Sequence, residues 1–150
     1  MFAVNYRNLL TRMYPDLPKI FNLETAAYLF AATVANVSVA TFFLPKGTEF
    51  ISSSYLIGIE VDDFESIPTE IRNGFRVTTP TRTLQDLFEY EDFVDPQVTF
   101  DYISWFASSQ NLDPCDFLKP EHHREVRKAM GNITSRKRAK YHFTREPNTV

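Results

Sequence analysis

Glycine and cysteine are scarce in this chain, and both shortages exclude chemistry. Four glycines in 150 residues leave no Gly-rich loop to cradle a phosphate, and neither a Walker-A nor a dinucleotide-binding spacing is present. The single cysteine, Cys115, cannot form an internal disulfide, so nothing points to an oxidising compartment. It lies between Pro114 and Asp116 with no base beside it to lower its pKa, which reads as a structural or surface thiol. A G-x-S-x-G elbow is also missing. Three histidines give no metal spacing. On a helix the adjacent His122 and His123 point about 100° apart and read as solvated helix histidines, and His142 stands alone. The N-terminus lacks the charged stretch and apolar core of a signal peptide. The longest weakly polar stretch, residues 26–44, is broken by Asn36, Ser38 and several Thr, too polar for a membrane span. The expectation is a cytoplasmic protein with no membrane association, no metal, no cofactor and no catalysis of its own.

Aromatic residues and unevenly placed charge are plentiful. Fourteen Phe and seven Tyr within a 43% hydrophobic chain supply the anchors of a folded core. Net charge is −3, but its distribution is lopsided. Residues 1–118 hold 7 Lys and Arg against 16 Asp and Glu, whereas residues 119–150 hold 9 against 3. An acidic body therefore precedes a basic tail.

The periodicities predict an α+β domain with a small antiparallel or mixed sheet packed by helices and a helical, basic C-terminal region. A first helix is expected over 4–13, with Arg7 and Arg12 on its exposed side, then a loop marked by Pro15 and Pro18. Asn22 fits the N-cap of a second helix carrying Ala26, Ala27, Phe30 and Ala31. Val37 to Leu44 reads as a buried strand ended by Pro45-Lys46-Gly47, and Tyr55 to Val61 as a second strand. Ile67 to Ile71 reads as a turn of helix or an irregular link. Asn73-Gly74 is a turn signal before a short strand, Phe75 to Val77.

Next comes the strongest local signal in the chain, a strand-to-helix joint. Thr79 fits an N-cap, Pro80 the first helical position, and Leu84, Leu87 and Phe88 a buried stripe. Arg82 and Asp86 stand i, i+4 and can pair. Because Arg82 in a first turn opposes the helix dipole, a tertiary role is expected for it, tying the joint by bonding loop carbonyls. Asp95-Pro96 starts a further helix with Val98, Tyr102, Ile103, Phe106 and Trp105. A last helix is expected over 121–130, stopped by Gly131.

Two charged groups remain. Asp86, Glu89, Glu91, Asp92 and Asp95 read as a solvated acidic face or one that meets a basic partner. Lys119, Arg124, Arg127, Lys128, Arg136, Lys137, Arg138 and Lys140 form the basic tail. It has three readings: phosphate contacts with nucleic acid, helped by stacking of Tyr141 and Phe143; folding onto the acidic body; or docking to an acidic protein.

The segment Gly74-Phe75-Arg76-Val77-Thr78-Thr79-Pro80-Thr81-Arg82-Thr83-Leu84-Gln85-Asp86-Leu87 resembles the most distinctive stretch of the C-terminal domain of AbiEi-type antitoxins, of type IV abortive-infection toxin–antitoxin pairs. Leu23-Glu24-Thr25-Ala26-Ala27-Tyr28-Leu29 and Phe42-Phe43-Leu44-Pro45 resemble two further stretches of that domain in the same order. The similarity covers about residues 20–118. It divides the chain into an N-terminal helical segment (1–20), an antitoxin-like domain (21–118) and the basic tail (119–150). The resemblance implies a non-enzymatic, regulatory role in phage defence, a nucleotidyltransferase-like toxin as partner, and structural use of Gly74, Thr79, Pro80, Arg82, Thr83, Leu84 and Asp86. Family members usually bind operator DNA through an N-terminal winged helix, for which the 20 residues before the match are too few.

Overall fold

A computed structural model of the chain describes residues 6–131. Its sheet is built on a strand only two residues long, β1 (Ile20–Phe21). The order is β3-β2-β1-β5-β4, with β2 at Ala40–Pro45, β3 at Leu56–Val61, β4 at Thr69–Arg72 and β5 at Phe75–Thr78. The sheet is mixed: β1 runs antiparallel to β2 and parallel to β5, β2 runs parallel to β3, and β4 and β5 are antiparallel. Sequence reading placed β1 inside a loop, because two residues show no periodicity. It also missed β4, where a link was expected. There Thr69, Glu70, Ile71 and Arg72 pair with β5 across a two-residue turn. Asn73 and Gly74 have φ of 55° and 86°, the double left-handed geometry of a tight hairpin, for which Asn-Gly is the favoured pair.

Alternation along β1 and β2 separates two apolar clusters. Phe21 and Phe42 enter the main core, while Ile20 and Phe43 enter a smaller one on the opposite face with Phe64 and Ile67. The main core is closed by helices: α1 (Tyr6–Arg12), α2 (Leu23–Leu29), α3 (Pro80–Glu89), α4 (Pro96–Gln110) and a helical run over residues 123–131, here α5. Ala26 and Ala27 are fully buried; their small side chains let α2 lie close to the sheet. In α4 the expected residues Val98, Tyr102, Ile103 and Phe106 are buried, Thr99 with them, while Trp105 is half-buried. α5 inserts Val126 and Ala129 into the same core, and a 3-10 turn at Pro120–His122 precedes it. Gly131 belongs to α5, so a helix stop at this glycine falls at the limit of the described residues. Sheet and helices share one core, a small α+β domain. The Tyr6 hydroxyl ties α1 to the sheet side, lying 2.7 Å from Thr25 Oγ1 and from the Val39 carbonyl. Burial raises its pKa.

The outer edge of β3 is guarded. Ser52 Oγ accepts from Gly58 N at 3.0 Å, and Ser53 Oγ accepts from Leu56 N at 3.2 Å. These loop hydroxyls occupy backbone groups that an open edge offers to another strand. Gly58 sits in a tight place: a Cβ would meet Leu44 Cδ1 at 2.8 Å, so a larger residue would have to displace that side chain.

Candidate functional site

The joint between β5 and α3 carries the sequence pattern, and its local grammar is visible atom by atom. Thr79 is extended (φ −62°, ψ 161°), and its hydroxyl accepts from Arg82 N at 3.4 Å. Pro80 fills the first helical position. Thr79 N donates to the Pro68 carbonyl at 3.2 Å, so the joint is also stitched to the chain entering β4. Below the cap the Thr78 and Thr83 hydroxyls lie 2.6 Å apart, both fully buried. The Tyr102 hydroxyl, from α4, donates to the Pro80 carbonyl at 2.8 Å. Leu84 and Leu87 are fully buried and Phe88 nearly so, the expected stripe.

Arg82 and Asp86 pair at 2.8 Å between Nε and Oδ1, and their side chains are only 21% and 5% exposed. Loop carbonyls are not the tertiary partner of Arg82. Its guanidinium stacks over the ring of Phe43, 5.3 Å from the centroid, so a residue of β2 on the smaller-cluster face receives it. Asp86 therefore leaves the solvated acidic face to which the sequence assigned it. Its second oxygen, Oδ2, is buried without a hydrogen-bond partner. Burial pushes the Asp86 pKa up to about 6, against the hydrogen bond and charge of Arg82, with Glu89 and Asp63 adding to the rise. Desolvation outweighs the ion pair because only one of the two oxygens is satisfied.

The basic tail is only partly within view. Arg124, Arg127 and Lys128 are exposed on α5, opposite buried Val126 and Ala129; their i, i+3, i+4 spacing gathers them on one face. Lys119 reaches Glu89 at 3.9 Å. Arg136, Lys137, Arg138 and Lys140 lie outside the described residues, as do Tyr141, His142 and Phe143. The structure does not leave His122 and His123 as solvated helix histidines. His122 packs its ring 4.7 Å from that of Phe88, and His123 Nε2 lies 3.0 Å from the Leu118 carbonyl. Burial, with Asp113 beside it, raises the Cys115 pKa, the reverse of an activated thiol. Among the described residues no group of three or more His, Cys, Asp or Glu is placed to hold a metal, and no helix is long and apolar enough to cross a membrane.

Three contributors to the joint escaped the sequence reading in their roles. Phe43 and Thr78 stood in the stretches that carry the resemblance with no role of their own assigned, and Tyr102 was read as core with no partner for its hydroxyl. A buried tyrosine generally needs such a partner, which was the one usable hint. Neither a scan against protein-family models nor a search of curated proteins finds a match to this chain.

Proposed function

We propose that this chain is a non-enzymatic, antitoxin-like regulatory domain that counteracts or regulates a nucleotidyltransferase-like toxin. The observation that supports the reading is the joint. The residues that resemble the antitoxin pattern, Gly74 through Leu87, are the ones that set the hairpin turn, cap α3 and bury the Arg82–Asp86 pair. The pattern thus serves the architecture of the domain. The test is genetic. Expressing the product of the neighbouring gene, with and without the chain, should arrest growth only in its absence. Equal growth in both cultures contradicts the proposal.

One observation favours a second reading, nucleic-acid binding through the tail. Arg124, Arg127 and Lys128 share an exposed face of α5 and continue in sequence toward Arg136, Lys137, Arg138 and Lys140. Several phosphate contacts of this kind give affinity that falls steeply with salt. Titrating a DNA or RNA duplex at increasing salt checks it: no binding near 50 mM salt, or a flat response, removes it.

A further inference from the structure

The two edges of the sheet differ. Hydroxyls of Ser52 and Ser53 occupy backbone donors along the outer edge of β3, whereas β4, the last strand at the other end, pairs on one side only, with β5. The Asn73-Gly74 turn fixes which backbone groups of β4 face outward. In a two-residue hairpin the flanking residues, here Arg72 and Phe75, exchange both hydrogen bonds, and the pattern alternates along the ladder. Arg72 and Glu70 therefore bond to β5, while the N–H and C=O groups of Thr69 and Ile71 point away from it. Among the described residues nothing bonds to these outward groups. Exposed edges are commonly blunted by lysine, proline or a bulge. At the centre of β4 stands Ile71 instead, 67% exposed, and of the exposed large apolar side chains it is the one that lies in a strand. Glu70 and Arg72 flank it on the opposite face, partly exposed and paired with each other at 3.1 Å. The Arg72 guanidinium is held in place over the ring of Phe30, 4.6 Å from the centroid.

We propose that the β4 edge pairs with the β4 edge of a second copy of this chain, antiparallel about a two-fold axis at Ile71. Charge selects this register. An axis at Glu70 or at Arg72 sets like charges opposite each other, which destabilises a sheet. An axis at Thr69 sets Glu70 against Pro68, which has no N–H to donate. The axis at Ile71 puts Glu70 opposite Arg72 of the second copy at both ends, so the strand is complementary to itself. The two Ile71 backbones then exchange their outward N–H and C=O groups, and the two exposed side chains cover each other. The Glu70–Arg72 pair within each strand extends into an alternating row of four charges, and two five-stranded sheets become one. With four residues a side, the contact lies far below the size of a standard interface, so the dimer is weak. Nothing in this pairing depends on an antitoxin role.

Sedimentation equilibrium of the full chain at concentrations up to about 1 mM, the range of weak association, tests it. Wild type should dimerise increasingly with concentration. Ile71→Lys alters an exposed side chain, sets like charges together on the axis, and should weaken dimerisation by about tenfold. Glu70→Arg and Arg72→Glu test the register. Each variant alone sets like charges opposite one another, whereas an equal mixture of the two sets opposite charges at both positions. The mixture should associate about tenfold more tightly than either variant alone. Arg72 packs on Phe30, so if circular dichroism shows Arg72→Glu unfolded, Ile71→Lys decides by itself. A wild type that stays monomeric at about 1 mM overturns the proposal and leaves the edge to a strand of another protein. Dimerisation of Ile71→Lys equal to wild type overturns it, because the copies then meet elsewhere. A mixture of folded variants no tighter than its components overturns the register on which it rests.

Discussion

Two strand-to-helix joints lie side by side in this domain, and they solve the same problem differently. β1 and β5 are parallel neighbours, with Phe21 opposite Val77, and each hands the chain directly to a helix. At β5 the cap residue Thr79 bonds the first helical turn, and the hydroxyls beneath it satisfy one another. At β1 the cap position is held by Asn22, a residue equally suited to capping. Yet its side chain makes no cap bond, and both amide atoms are fully buried without partners. Leu23 follows with φ of 45°, in the left-handed region a branched residue rarely enters. The backbone explains the difference. Asn22 N donates to the Thr41 carbonyl at 3.2 Å, and its own carbonyl accepts from Ala26 N at 2.9 Å and from Thr41 Oγ1 at 2.8 Å. Pairing with β2 fixes Asn22 in its extended position (φ −143°, ψ −172°) and turns its amide inward. Capping residues state a preference; strand register decides whether it is used.

Substitutions can break or sharpen this contrast. The largest effect is expected from Arg82→Ala, which leaves a buried carboxylate without its cation; urea unfolding should show a loss of about 3 kcal/mol. Next is a pH effect. The folded-state pKa of Asp86 is raised, so its contribution to stability is fully present below about pH 4 and is lost as pH rises through about 6. Wild-type stability should fall by roughly 2–3 kcal/mol across this window from this group. Asp86→Asn should flatten that slope, leaving the part due to Glu24, whose pKa burial also raises. Thr83→Val removes the buried partner of Thr78 and should cost about 1.5 kcal/mol by chemical unfolding. The smallest pair sharpens the comparison directly. Thr79→Ala should cost about 1 kcal/mol through the lost cap. Asn22→Ala, which deletes an amide already without partners, should cost less than about 0.5 kcal/mol in the same assay, because relief of two unsatisfied polar atoms offsets the lost packing.

The elements that rest on short-range rules were legible in the sequence. α3 and α4 begin at Thr79-Pro80 and Asp95-Pro96, and the Asn73-Gly74 turn and the buried stripe of α3 fall where expected. What escaped depends on contacts between distant residues. β1 exists because β2 and β5 flank it, and β4 because it lies across the hairpin from β5. β2 begins at Ala40, three residues later than its β-branched run implied; the Val39 carbonyl before it accepts from the Tyr6 and Thr25 hydroxyls. The burial of Asp86 was illegible for the same reason: in sequence it is one carboxylate of a polar run, and only the packing of α3 against the sheet moves it inside. The i, i+4 pairing itself was readable; that it lies against Phe43 was not.

The most direct test of this account is a double-mutant cycle on Arg82→Ala and Asp86→Ala, read by equilibrium urea unfolding at neutral pH. A joint held by a buried, ring-stacked pair predicts a coupling energy above about 1.5 kcal/mol. A coupling within about 0.5 kcal/mol, the value of an exposed helix pair, would contradict it.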